Sequence, residues 1–411
     1  MRGWIPPLPL ALGMLAFGCS WPGLFAYARS GSFDVSFLAL GWVHVIALGW
    51  ITLAALSILL HVIPGFLEVE WRYQSTARIS TLAFAVGVVV LLAGFFGANV
   101  AALQYGGMIT FAALLLYAVA LVQPLSQAMR GKRVTRAVAR AFALTFLLLL
   151  VTALLGAFFT AAFAGNGSQS VLADAPRAHA LLGIGGWLTL LIVGVSARTM
   201  RPITGTGSRW LAVHIASSSA ILAGTLLAAV AAAMDLRFLF VLGCVLLLVG
   251  MLAYALDVWD ILLRATVTHR PPQVLMACAT VAAVVAVLLV IGSAFGQAWG
   301  EAAVYVALLG WAGSAVLAHM LHIGVRVLLT QARGEDDETR PGAVLVPALS
   351  WATIVTYEAA VFLGGIGIAD RAPGAVEGAA ILGFLAFLTT LLNLASAYRA
   401  ARQMPIVPEA S

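Results

Sequence analysis

Seven histidines and one glutamate deep in an apolar run carry most of the chemistry available to this 411-residue chain. His44, His61, His179, His214, His319 and His322 all fall in long apolar runs, while His269 stands beside Arg270 and two prolines in a connecting segment. Neutral imidazole binds iron, copper or zinc through whichever ring nitrogen its other hydrogen bond leaves free. Each histidine also has an ordinary reading, as a buried side chain bonded to a nearby carbonyl. Glu358, in Tyr357-Glu358-Ala-Ala-Val-Phe, has no charged neighbour in sequence. An ionisable group in such a run is costly and faces a cavity or a partner. Glu358 is therefore expected to act as a proton relay or ligand partner, with a neutral structural glutamate as the alternative. Asp257 and Asp260, with Arg264 four residues after the second, read as an ion-pair cluster at a helix end or as a proton entrance. The sequence has no Gly-Lys-Ser/Thr phosphate loop, no Cys-x-x-Cys, no haem-attachment Cys-x-x-Cys-His and no His-Glu-x-x-His. That excludes a self-contained ATP-driven pump and the common soluble metal sites.

The elements that position these residues follow from composition. Apolar residues make up 63% and charged residues 9% of the chain, and mean hydropathy is +1.05. A soluble domain carries roughly 25% charge to solvate its surface, so lipid is the expected solvent here. The apolar runs do not alternate and are long enough to cross a core of about 30 Å as helices. Twelve spans are expected, near 5–27, 36–64, 78–98, 102–124, 139–164, 176–197, 210–233, 237–259, 273–295, 302–325, 342–368 and 376–398. Short connections leave a single integral membrane domain over 1–411 with no soluble domain. Ala26-Tyr27-Ala28 resembles a signal-peptide cleavage site, but flanking Pro and Trp and the spans that follow favour a retained first span. Cys19, Cys244 and Cys278 are unpaired in spacing and read as small buried residues.

The positions of the charges decide what a net charge of +6 means. They lie in short loops, not on a nucleic-acid-binding face. With both termini in the cytoplasm, eighteen Lys and Arg fall on the cytoplasmic side, leaving Arg29, Arg177, Arg237 and Arg371 on the other. This bias predicts a multi-pass protein of a bacterial-type inner (cytoplasmic) membrane with an even number of spans. The acidic run Glu335-Asp336-Asp337-Glu338 is expected in a solvated cytoplasmic loop.

Three even-numbered spans repeat a pattern. Gly49-Trp50, Gly186-Trp187 and Gly310-Trp311 are each followed, eleven residues after the Trp, by His61, Arg198 and His322. At 1.5 Å per residue the second position lies about 16 Å deeper than the first. A pseudo-threefold bundle is expected, with sites where repeats meet. Chain direction then predicts an outer polar layer of His44, His179 and Glu358 and an inner layer of His61, His319 and His322.

This pattern resembles the haem-copper oxidase subunit I superfamily. The match rests on His44-Val-Ile-Ala-Leu-Gly-Trp50 running to Leu60-His61-Val-Ile-Pro64, and more weakly on His179-Ala-Leu-Leu-Gly-Ile-Gly-Gly-Trp187. The topology covers the whole chain, the specific residues only spans 2 and 6. The resemblance implies twelve spans in a pseudo-threefold arrangement, a haem ligand at His44, a copper or haem ligand at His179, and a cytochrome or quinol electron donor. Arg177 could pair with haem propionates. Two departures stand out. His319 and His322 lie late in span 10, where the family has an early His-x-His, and span 7 has only His214 in place of adjacent histidines. A complete binuclear centre is therefore not expected. Grouped at one depth, His61, His214, His319 and His322 could hold a haem or a copper ion. His44 and His61 are seventeen residues, about 25 Å, apart, so one haem cannot use both. Tyr305 replaces the family's span-10 partner of His44, which leaves a five-coordinate iron suited to binding oxygen, nitric oxide or carbon monoxide, or a sixth ligand from another helix, with His179 nearest by depth. Two other classes remain open: a proton-coupled secondary transporter using Glu358, and a cofactor-free assembly subunit.

Overall fold

The computed structural model describes residues 7–31, 33, 35–163, 175–334 and 339–403; Glu335–Glu338 lie outside them. Among the described residues, twelve helices are long and apolar enough to cross a membrane: Leu8–Arg29, Phe37–Leu67, Gln74–Phe96, Val100–Ala128, Thr135–Ala161, Ala175–Thr204, Ala212–Ala233, Arg237–Leu263, Pro271–Ser293, Gly300–Arg333, Pro347–Ala369 and Pro373–Gln403, numbered here as spans 1 to 12. Each coincides with an expected run, and the chain is an all-α multi-pass membrane bundle. Helices prevail because a backbone in hydrocarbon must satisfy its own N–H and C=O groups.

The packing repeats every four spans. Spans 1, 5 and 9 pack on spans 2, 6 and 10; spans 3–4, 7–8 and 11–12 form hairpins; and spans 4, 8 and 12 pack on spans 5, 9 and 1, which closes the ring. Spans 2, 6 and 10 are the interior: 67%, 56% and 83% of their most apolar windows is buried, against at most half for any other span. The interior thus holds the three segments that share the Gly-Trp pattern.

Two local devices confirm the repeat at atomic detail. The first is the hairpin turn. Ala98, Asp235 and Arg371 each adopt a left-handed conformation, with φ of 49°, 52° and 53°. In each turn the next residue's N–H reaches back five residues, Asn99 to Gly94 O, Leu236 to Ala231 O and Ala372 to Gly367 O. This is the Schellman closure, which satisfies the orphan carbonyls of a helix end. A Cβ in this conformation costs roughly 1 kcal/mol or more, so Ala98→Gly is expected to stabilise the protein by about 1 kcal/mol, read as a raised thermal midpoint.

The second device is a wide helical turn. Val45–Thr52, Leu181–Leu188 and Val306–Gly313 are π-helical, and each contains its Gly-Trp pair. The three wide segments meet along the bundle axis. There the indole N–H of Trp187 donates to Thr52 Oγ1 at 3.0 Å and that of Trp311 donates to Thr189 Oγ1 at 2.9 Å. Thr52 and Thr189 each lie two residues after their own Trp. At the third junction the equivalent residue is Gly313, and Trp50 Nε1, fully buried, has no hydrogen-bond partner. A side chain at Gly313 would collide with the Tyr357 hydroxyl, which donates to Leu309 O in the wide turn at 2.8 Å. The symmetry is broken where span 11 reaches inward.

Small residues set the hairpin spacing. A Cβ built on Gly94 would lie 2.6 Å from the backbone nitrogen of Leu103, and one on Gly243 would lie 2.5 Å from that of Ala228. Backbones this close are the usual packing solution in lipid, where association depends on contact and not on apolar burial.

Candidate paired-histidine site

His44 and His179 come together from spans 2 and 6, with ring centroids 6.3 Å apart and planes inclined by 26°. Each occupies the helical turn just before its wide segment. The His44 Nδ1–H donates to Leu40 O at 2.7 Å. A carbonyl only accepts, so this bond fixes the tautomer and leaves Nε2 with a free lone pair. A backbone carbonyl holding the far nitrogen is the arrangement that orients metal-ligating histidines. The His44 ring stacks on Phe95 at 4.9 Å, and His179 packs edge-on to Phe159 at 5.6 Å. Gly156 lies flat against His179, 3.2 Å from an added Cβ to the ring. The Nδ1 of His179 is buried and closes no hydrogen bond of ordinary geometry, although the Thr152 backbone lies beside the ring.

Two imidazole nitrogens binding one metal at about 2 Å each place the ring centroids roughly 6 Å apart, close to the distance observed. No group of three or more His, Cys, Asp or Glu among the described residues is arranged to hold a metal ion. A bare copper or zinc ion would need such a set. A haem iron brings four macrocycle nitrogens and needs one or two from the protein, so a two-imidazole site with an unused lone pair fits haem better than copper. Arg177 is exposed on the short helix that carries His179.

Glu358 meets other groups. Ser314 Oγ donates to its Oε1 at 2.8 Å, and Cys278 of span 9 is close enough to feel its charge. The carboxyl therefore sits where spans 9, 10 and 11 converge. Its neighbour Tyr357 belongs to the central aromatic cluster with Phe17, Trp21 and Trp50. Tyr305, the counterpart of His44, stacks on Trp42 at 5.9 Å and donates to Ala360 O at 2.8 Å.

Of the histidines nearer the opposite side, His319 and His214 are engaged by partners of their own. The His319 Nδ1–H donates to Ala315 O at 2.7 Å, and its Nε2 accepts from Thr199 Oγ1 at 2.8 Å. Both nitrogens are used, which leaves none for a metal. His214 faces Asp257 at 3.3 Å, and Ser208 donates to the same carboxylate at 2.6 Å. Asp257 is 1% exposed, so only Asp260 forms the expected ion-pair cluster, with Arg209 and Arg264. The buried Asp257–His214 pair was not legible from the interfacial pattern, because Asp257 and Asp260 share a helix face and differ mainly in depth, by about 4.5 Å along the axis. Tyr254, three residues before Asp257, bonds Ser196 at 2.8 Å. His61 is half-buried in span 2, and Arg198 donates to Phe66 O at 3.5 Å. His322 lies in a second wide turn, Met320–Gly324, near His319, His269 and Arg326.

His269 lies in the connection between spans 8 and 9, with Gly342 pressed against its ring and its Nε2 buried without a partner. Burial holds its imidazole below the ordinary value of 6.5. In the window below 6.5 the unfolded chain binds the proton and the folded chain does not, so stability rises with pH there. Acidification from pH 7 to pH 5 is expected to lower the thermal midpoint, and His269→Gln is expected to reduce that slope in pH-dependent melts of the detergent-solubilised protein.

No protein-family model matches the chain, and no curated protein shows significant similarity to it.

Proposed function

We propose that this chain is an oxidase-like integral membrane haem protein that transfers electrons within the bilayer, in which His44 and His179 would hold the haem and a complete binuclear centre is absent. The observation that carries the reading is the His44–His179 pair: two half-buried imidazoles from adjacent repeats, at a spacing that suits one iron, one of them pre-oriented by a backbone carbonyl. A haem held there supplies one-electron redox chemistry. A haem held by both His44 and His179 would suit electron transfer rather than gas binding. Phe95 covers one face of the His44 ring and Phe159 packs edge-on to His179, which shields the pair from water. A membrane quinol or a cytochrome is the proposed donor. Eighteen cations against four favour an inner membrane with both termini cytoplasmic.

Protein purified from haem-supplied cells tests this directly. A Soret band and iron near one per chain are expected, with little change on adding carbon monoxide. A colourless, iron-free preparation would sink the proposal.

A second reading, a proton-coupled transporter, draws on Glu358 alone. Its carboxyl is set between three spans with a hydroxyl partner, as a coupling group would be. Proton-coupled uptake lost in Glu358→Gln, in protein that holds no chromophore, would favour it.

A further inference from the structure

A cavity of about 450 Å³ opens between spans 5, 6 and 7. Every side chain lining it is apolar. Leu144 and Leu155 of span 5, Ala178 and Leu182 of span 6, and Leu222 and Ala233 of span 7 mark its extent. The rim residues Leu147 and Val230 are each 56% exposed, so the cavity faces sideways, toward lipid.

Depth identifies what fills it. Leu144 to Leu155 and Leu222 to Ala233 each rise eleven residues, about 16 Å along the helix. Half the hydrocarbon core of a bilayer is about 15 Å. Both helices climb toward the side where span 6 begins, so the groove runs from the membrane midplane to one surface. It has the length of one acyl chain in one leaflet. At its surface end stands Arg177, exposed, one residue before the lining Ala178 and without an ion pair among the described residues. Asp235 and Arg237 in the turn after span 7 are also exposed at this side, and Arg237 is engaged over the Phe295 ring at 5.1 Å. Arg177 is thus the cation placed to meet a phosphate above the groove.

We propose that this groove binds one anionic phospholipid, with an acyl chain along spans 5 and 7 and its phosphate paired with Arg177. The site is independent of the haem assignment, although Ala178 and Leu182 bracket His179 on the same span.

Native mass spectrometry of the full chain, with phosphatidylglycerol, phosphatidylcholine and palmitate as probes, tests the proposal. One phosphatidylglycerol retained per chain is expected. Ala178→Trp in span 6 and Ala233→Trp in span 7 fill the groove independently, and each should reduce retention at least about tenfold. Ala233 is exposed, so its substitution leaves the packed interior intact. Arg177→Gln should weaken retention about fivefold and erase the preference over phosphatidylcholine. Unchanged retention in both Trp variants overturns the proposal. So does equal competition by palmitate, which would show a chain-only site, or the loss of a dimer in the Trp variants, which would make the face a contact between copies. Loss of a Soret band in Ala233→Trp would assign the groove to the haem instead.

Discussion

His44→Ala is expected to strip the purified protein of more than about 90% of its haem absorbance and iron, since an axial ligand and its orienting carbonyl are lost together. His179→Ala should act differently. A haem held by His44 alone would be expected to give a high-spin spectrum and a large carbon monoxide difference signal that wild type lacks. His319→Ala should leave the spectrum unchanged, because both ring nitrogens of His319 are already committed, to Ala315 O and to Thr199. The contrast among three histidine variants separates ligand loss from general damage. A wild-type low-spin spectrum surviving in His44→Ala would remove this site from consideration and return the haem question to His61 and His322.

The central indole ring makes the second large prediction. Thr52→Val and Thr189→Val keep side-chain volume but remove the acceptors of Trp187 and Trp311, leaving a buried N–H unsatisfied at a cost of about 1–3 kcal/mol each. Measured hydrogen-bond energies in membrane bundles sit near the lower end of that range. Trp187→Phe and Trp311→Phe should lose the same bonds together with indole packing. Trp50→Phe should be the least costly of the three, because Trp50 Nε1 has no partner to lose. It still loses part of a ring stacked 4.1 Å from Phe17. Unfolding in mixed detergent, read for all three Trp variants and for the Thr52/Thr189 double variant, provides the check. Equal losses at all three tryptophans would mean that the two hydrogen bonds contribute nothing measurable.

The fold was largely legible because hydropathy and loop charge are strong one-dimensional signals. Twelve spans appear where twelve apolar runs lie, and the Gly-Trp recurrence in spans 2, 6 and 10 marks the three interior helices. What the recurrence means locally was not legible. Eight residues of π-helix at each Gly-Trp leave no compositional trace, since Val45–Thr52 reads as well in an ordinary helix, and the 1.5 Å rise assumed from Trp50 to His61 does not hold across a wide turn. The His44–His179 approach was accessible as a shared depth, but azimuth around the bundle depends on helix packing that a single sequence does not encode. Glu358 shows the same limit. It was placed with these histidines by depth, yet its contacts are Ser314 and the neighbourhood of Cys278. Among the inner histidines, partners distant in sequence engage His319 and His214, through Thr199 and Asp257, and a single sequence gives no sign of either.

Closure of the ring by span 12 on span 1 has a topological consequence. The chain order 1–12 is one of three nearly equivalent ways of stringing the same bundle. An even number of spans puts residues 7 and 403 on one side of the membrane, on two helices that pack against each other. A short flexible linker between them, with new termini opened in the connection between spans 4 and 5 or between spans 8 and 9, keeps the order of helix packing; the first cut falls in an exposed turn, while the second must spare the buried His269 ring and the bonds from the Thr266 and Val267 N–H groups to Thr204 O. The bundle is therefore circular in its architecture and linear only in its synthesis, and the same cuts divide it into three four-helix pieces, each bringing one wall of the central tryptophan ring.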